Sequence, residues 1–395
     1  MFTKMLDVLS ANTSLIEFLT IIIVVSAMVA IVVYITVQQA AKQGNCTNMK
    51  NLYPMETSIQ PILKSDQLSY SINDTSYDTR LRDVYVKASY NSCSAGNYKD
   101  DWVSTCALNE VLKRGCRFVD FEVYSINHEP AVATSTSTDY YTKETWNSVP
   151  FSAVAKLIKN NAFSQDHVPN PTDPLLVHLR FKSNDILMYN KLADVTKTHL
   201  DTFLLDNKYS CGYAGEGSSP ANVLDATFSS NVLKNKVIIL VDGASNSTYA
   251  GTDFNEFVNL STSCSSTPTI MEYRNFTAQT SEDNETLTDM SKSGMLIVLP
   301  DLNIKPSNIN FNSTVPALKD GGCQIVAQCY QIMDRNLKNY NTFFPTSAFV
   351  LKDTTLINPD SSETYPTVPQ LACTTQTQTN KHGYTFETHS CTTGS

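Results

Sequence analysis

The chain has 395 residues, 42% of them apolar, enough for two average domains or one large α/β barrel with appendages. Its 38 acidic side chains outnumber 29 basic ones, giving a formal net charge of −9, and no Lys/Arg run interrupts that balance. Nucleic-acid binding and unspecific adhesion to anionic lipid are excluded on that ground.

Residues 1–17 form a short polar head. The next stretch, residues 18–37, starts at Phe18, ends at Val37, carries no charge and is rich in Ile and Val. As a helix at about 1.5 Å per residue it spans about 30 Å, the thickness of bilayer hydrocarbon, so one transmembrane helix is predicted. A signal peptide is disfavoured by the length of the stretch and by the lack of a basic start or a small-residue cleavage site. A uniformly apolar soluble core helix is rarer still. Lys4 on one side and Lys42 with Lys50 on the other leave the orientation undecided by charge. Residues 38–81 are polar and read as a stalk.

The globular part is expected from residue 82. Residues 84–89 alternate like a strand, 102–114 read as a helix stopped by Gly115, and 117–124 as the next strand. Helices at 151–163 and 186–205 flank a strand at 174–181, and the VIILV run gives a strand at 236–241. Residues 243–268, rich in Ser, Thr and Asn, read as a surface loop. Strand-like runs follow at 269–276, 295–299, 324–330 and 348–352. Strands alternating with helices argue for a largely parallel sheet. The Thr-rich tail, 354–395, reads as extended or pinned by its two cysteines.

All ten cysteines and seven Asn-x-Ser/Thr sequons (Asn45, Asn73, Asn246, Asn259, Asn275, Asn284 and Asn312) follow the apolar run. Both suggest an oxidising, glycosylating compartment for the C-terminal part. The bland alternatives are chance sequons and ordinary buried thiols at Cys116 and Cys323. The disulfide to test first is Cys373 with Cys391.

The segment Leu112-Lys113-Arg114-Gly115-Cys116-Arg117-Phe118-Val119-Asp120-Phe121-Glu122-Val123-Tyr124 resembles the X-box of the phosphoinositide-specific phospholipase C catalytic domain. Gly321-Gly322-Cys323-Gln324-Ile325-Val326-Ala327-Gln328-Cys329-Tyr330-Gln331, followed by Ser347-Ala348-Phe349-Val350-Leu351-Lys352, resembles its Y-box. The resemblance implies a distorted (β/α)8 TIM-type barrel, with an X-like half at 82–242, a linker at 243–268 and a Y-like half at 269–353. It also implies hydrolysis of a phosphoric diester by two histidines and a Ca2+ ion held by Asn and carboxylates.

Position by position, most of that machinery is replaced. The first histidine position holds Tyr90 and the second Thr134. Of the metal-ligand positions, Asn91, Asp120 and Glu122 retain oxygen donors, with Asp120 and Glu122 on one strand face. The fourth is Arg180, whose charge repels a cation and favours an ion-pair cluster over a metal site. Leu240 and Asp242 stand at phosphate-binding lysine positions, and Ile304 and Ile309 at an Arg and a Tyr position, while Ser307 and Asn308 are retained. His178, one layer below Arg180, and His128, in a loop, are the candidates for relocated acid–base work.

Three functions are therefore weighed. The first is a membrane-anchored barrel without activity, used for binding or structure, with no cofactor and an unidentified protein partner. The second is a divergent phosphoric diester hydrolase acting on phosphoinositides, with Ca2+ if active. The third is an inositol-phosphate binding module in which Arg180 meets the phosphate. The C-terminal domain is expected to be extracytoplasmic, on a viral membrane or a cell surface.

Overall fold

The computed structural model describes residues 13–53, 56–136, 141–211, 222–263, 270–274, 284–301, 312, 319–359, 372–379 and 385–392. The chain divides into two units, residues 1–48 and 49–395. The first is dominated by helix α1 (Thr13–Leu52), which continues past the end of the apolar run. It is long and apolar enough to cross a membrane. Its large apolar side chains from Phe18 to Val37 are all exposed.

In the second unit, strands β1 (Ser69–Ile72) and β2 (Thr75–Asp78) form an antiparallel hairpin. Its two turn residues, Asn73 and Asp74, have φ of 49° and 63°, the left-handed pair that a tight hairpin requires. The expected stalk is corrected here. Ile59, Ile62 and Leu81 are buried, and the Ile62 amide donates to Asp173 Oδ1 at 2.9 Å. Residues 56–81 are polar in composition, but their few apolar side chains dock into the globular unit.

Strands β3 (Val84–Val86) and β4 (Ala88–Ser89) form one strand interrupted at Lys87. Helix α2 (Thr105–Lys113) begins at Ser104, whose side chain accepts from the Cys106 amide, and ends before Gly115 at φ 76°. Then come β5 (Phe118–Ile126), β6 (Glu129–Ala133), β7 (Val149–Pro150), α3 (Phe151–Leu157) and β8 (Leu175–Phe181). Helix α4 (Ile186–Leu200), capped by Asp185, leads to β9 (Val237–Val241) and β10 (Leu260–Ser261). The rest comprises β11 (Ile270–Arg274), α5 (Asn284–Ser293), β12 (Met295–Leu299), β13 (Ile325–Val326), α6 (Arg335–Phe343) and β14 (Phe349–Leu351). A final antiparallel hairpin pairs β15 (Ala372–Thr379) with β16 (Thr385–Thr392).

The parallel ladders run β10-β9-β8-β5-β4 in one sheet and β3-β13-β12-β11 in the other. Because β3 and β4 are consecutive, the two sheets make one run of eight parallel strands, β10-β9-β8-β5-β4/β3-β13-β12-β11. A bridge between Ser89 and Gln328 reinforces the join. Two expectations change. Strand β14 lies antiparallel on β3 and is not one of the eight. The missing parallel strand is β10, inside the segment read as a surface loop, where Tyr249, Phe254 and Val258 are also buried. Its two strand residues are too few to show alternation against a Ser/Thr/Asn background.

One buried cluster takes side chains from all eight strands, among them Ala88, Phe118, Leu176, Leu240, Leu260, Ile270, Ile297 and Ile325. A second takes the alternate residues, such as Val119, Val177, Ile239 and Leu296, together with the helices. Period-two alternation sorts the strand side chains into these two layers.

Cys46, Cys106 and Cys211 are disulfide-bonded, while Cys93, Cys116, Cys323 and Cys329 are free and buried. Cys373 and Cys391 lie directly opposite one another in the β15–β16 register.

Candidate active site

Asp120 and Glu122 project from β5, and the parallel register sets them beside His178 and Arg180 of β8. Asn91 follows β4 with φ 42°, a left-handed conformation that Asn tolerates better than most residues. Its amide donates to Asp120 Oδ2 at 2.9 Å. All five side chains are buried, with Asp120 and Glu122 at 0% exposure.

Arg180 sits at the centre. Nε donates to Asp120 Oδ1 at 2.9 Å, Nη2 to Asp120 Oδ2 at 2.7 Å, Nη1 to Glu122 Oε1 at 2.9 Å and Nη2 to Asn91 Oδ1 at 2.9 Å. The guanidinium carbon also lies 4.7 Å from the ring centroid of Tyr90. Four of the five guanidinium N–H groups are thus engaged, and the planar fork fits the carboxylates as a spherical cation would not. Glu122 Oε2 accepts from the Tyr124 hydroxyl at 2.7 Å and from the Ser135 amide at 3.1 Å.

The charges are mutually consistent. Burial raises the Asp120 carboxyl, but the Arg180 charge and hydrogen bonds from His178 and Arg180 outweigh it and hold the group well below the usual carboxylate range. Burial lowers Arg180, yet Asp120, Tyr90 and Glu122 together leave it well above its ordinary value. Both partners are ionised.

His178 lies beneath this cluster. Its Nδ1 is 2.8 Å from Asp120 Oδ1, and its ring stacks on Phe118 with centroids 5.5 Å apart. Its Nε2 faces Glu272 Oε2 of β11 at 3.5 Å, too far for a good hydrogen bond, and neither atom has another partner among the described residues. Burial, then repulsion from Asp242, raises the Glu272 carboxyl to about 7. Arg274, also on β11, donates to the Pro300 carbonyl at 3.0 Å and reaches the Tyr90 hydroxyl at 3.5 Å.

The remaining expected positions scatter. Thr134 is buried and donates to the Tyr98 carbonyl at 3.0 Å, one residue before the Ser135 amide that caps Glu122. His128 is exposed in the β5–β6 turn and pairs with Asp185 at 2.8 Å, so it takes no part in the Arg180 network. Leu240 packs in the inner apolar layer, and Asp242 accepts from Thr262 Oγ1 at 3.2 Å. Ile304, Ser307, Asn308 and Ile309 lie outside the described residues. Tyr124, Ser135, Glu272 and Arg274 were missed by the sequence reading. Tyr124 extends the Asp120–Glu122 face by two residues, and Glu272 with Arg274 shows the same spacing, so alternation alone pointed to them.

Asn91 after β4 and Arg180 near the end of β8 set this cluster toward the C-terminal ends of the parallel strands, the side on which parallel α/β folds carry their sites. Residues 77–242 match the family model of the phosphatidylinositol-specific phospholipase C X domain, which supports a phospholipase C-like catalytic domain in this chain. Among solved structures, PLC21 of S. officinalis is similar with a TM-score of 0.55 and 17% identity over 82% of this chain. PLC21 of L. pealei is similar with a TM-score of 0.55 and 16% identity over 81% of this chain. The chain spans 42% of the length of each. At that identity they show the fold alone. A calcium-dependent phosphoinositol-specific phospholipase C of Pseudomonas sp gives a TM-score of 0.37 at 11% identity, with 66% of this chain and 93% of that one covered. No curated protein matches the sequence.

Proposed function

We propose that this chain is a membrane-anchored phospholipase C-like barrel that does not hydrolyse phosphoinositides and serves as a binding or structural protein. The observation that carries this reading is Arg180, whose guanidinium fills the space between Asn91, Asp120 and Glu122. The family's Ca2+ does not fit these residues. An ion there would have to displace four hydrogen bonds and sit beside a fixed positive charge. The inositol-phosphate reading is weakened by the same geometry, because one guanidinium N–H is left for a phosphate.

Barrel closure between β10 and β11 belongs to this proposal. It is supported by His178 of β8 meeting Glu272 of β11, which are far apart along the strand run. The anchor is residues 18–37 of α1, with the C-terminal part that follows it outside the cytoplasm and free to present loops to a protein partner.

A second reading, a metal-free diesterase using Glu272 and His178, is favoured by the unpartnered Glu272 Oε2 and His178 Nε2 and by the raised Glu272 carboxyl. One assay separates the two. The purified chain is given phosphatidylinositol vesicles with Ca2+ and with chelator, and inositol phosphate is measured. The proposal predicts no release in either case. Release that survives chelator and disappears in Glu272→Gln establishes the second reading.

A further inference from the structure

We infer that Asn73 is an N-glycan acceptor, and that three other sequons serve the fold instead. The inference rests on the proposal that the chain beyond α1 lies outside the cytoplasm. Asn73 occupies the tip of the β1–β2 hairpin with φ 49°. Asn73, Asp74 and Thr75 are all exposed. Among the described residues neither the Asn73 side-chain amide nor the Thr75 hydroxyl has a hydrogen-bond partner, so both are available to a transferring enzyme. In the transfer, Asn73 Nδ2 displaces a polyprenyl diphosphate from the anomeric carbon of its linked oligosaccharide. A C–N bond forms as the C–O bond breaks, and one amide proton passes to a base of the enzyme. A hairpin tip is also where a bulky, hydrated group disturbs the fold least.

The other described sequons have the opposite surroundings. Both N–H bonds of Asn246 Nδ2 are used, by the Ser183 carbonyl at 2.9 Å and Asn184 Oδ1 at 3.1 Å, while its Oδ1 accepts from the Thr248 amide at 3.0 Å. Asn312 is buried, with Nδ2 donating to the carbonyls of Ile332 at 3.1 Å and Cys329 at 3.4 Å. Asn259 accepts from the β9 amide of Ile239 at 2.9 Å and donates to the Tyr209 carbonyl at 3.3 Å. A glycan replaces one amide hydrogen, so at Asn246 or Asn312 it would break a bond that holds two segments together. Asn45 lies half-buried within α1, and the side chains of Asn275 and Asn284 lie outside the described residues.

The test is translation of the full chain with microsomes, followed by protease protection and site mapping by glycosidase release in heavy-oxygen water. The expected result is a protected C-terminal part tagged at Asn73 and untagged at Asn246, Asn259 and Asn312 in the protease-resistant, folded fraction. Asn73→Gly, which keeps the left-handed turn, and Thr75→Ala should each remove that glycan and leave the unfolding midpoint of the deglycosylated protein unchanged. A protected chain untagged at Asn73, or a folded chain tagged at Asn246, Asn259 or Asn312, overturns the assignment while the placement stands. Digestion of the C-terminal part without detergent overturns both.

Discussion

Arg180 holds Asp120 by two parallel hydrogen bonds, Nε to Oδ1 at 2.9 Å and Nη2 to Oδ2 at 2.7 Å, with both groups buried. This bidentate pair puts a covalently attached cation among the oxygen donors that the family resemblance implied as metal ligands. Its consequences for stability, titration and ion binding can each be measured.

Arg180→Ala leaves Asp120 and Glu122 buried without their counter-charge. Breaking a buried pair from one side costs about 3–5 kcal/mol, so urea denaturation should show a loss of that order. In an Asp120→Ala background the same change should cost much less, because one stranded acid is gone. Additive losses would mean that the pair is not coupled as the geometry states.

Arg180→Asp removes the resident cation and adds a fourth oxygen donor. Four buried acids and amides without a cation repel, so this variant should be poorly folded in chelator and should gain thermal stability as Ca2+ is added. A variant whose Tm ignores Ca2+ would show that Arg180 does not stand where an ion could.

Glu272 has a folded-state carboxyl raised from 4.5 to about 7. Between those values the native state binds more protons than the unfolded state, so this group's contribution falls as pH rises through the window and is constant above it. The full effect is on the order of 3 kcal/mol for a shift of this size. Asp120 has the opposite sign: its contribution is present above the unfolded-state value and is lost only as pH falls well below the usual carboxylate range. Glu272→Gln should therefore flatten the pH–stability curve from 4.5 to 7 and leave the acid limb in place. An unchanged slope in that window would contradict the burial of Glu272.

The two ends of the chain give simpler tests. Deleting residues 1–37 should move the protein from the carbonate-resistant membrane fraction to the supernatant, since those residues include the whole apolar run. Cys373 and Cys391 face each other in the β15–β16 register, so non-reducing peptide mapping should recover them as one cross-linked pair. Free thiols at both positions after secretion would contradict that pairing.

Part of the parallel framework was legible because several of its strands are wholly apolar. VIILV became β9 and MLIVL became β12 with hardly a residue of adjustment. What escaped was short or polar. Leu260 and Ser261 make a strand only because β9 offers a ladder, and residues 56–81 dock through a few apolar side chains in a polar stretch. In the site, Asp120, Glu122 and Arg180 were legible together because alternation and a family resemblance both marked them. Glu272 was not, because alternation marks its face of β11 but nothing local sets that face opposite His178 of β8.

The most direct measurement is a calorimetric titration of Ca2+ into the folded, detergent-solubilised chain at neutral pH. With Arg180 satisfying Asn91, Asp120 and Glu122, the result predicted is no binding heat and no shift in Tm at millimolar Ca2+. Saturable binding near micromolar that is lost in Asp120→Ala would contradict the account, because it would require Arg180 to leave and the family's metal site to re-form.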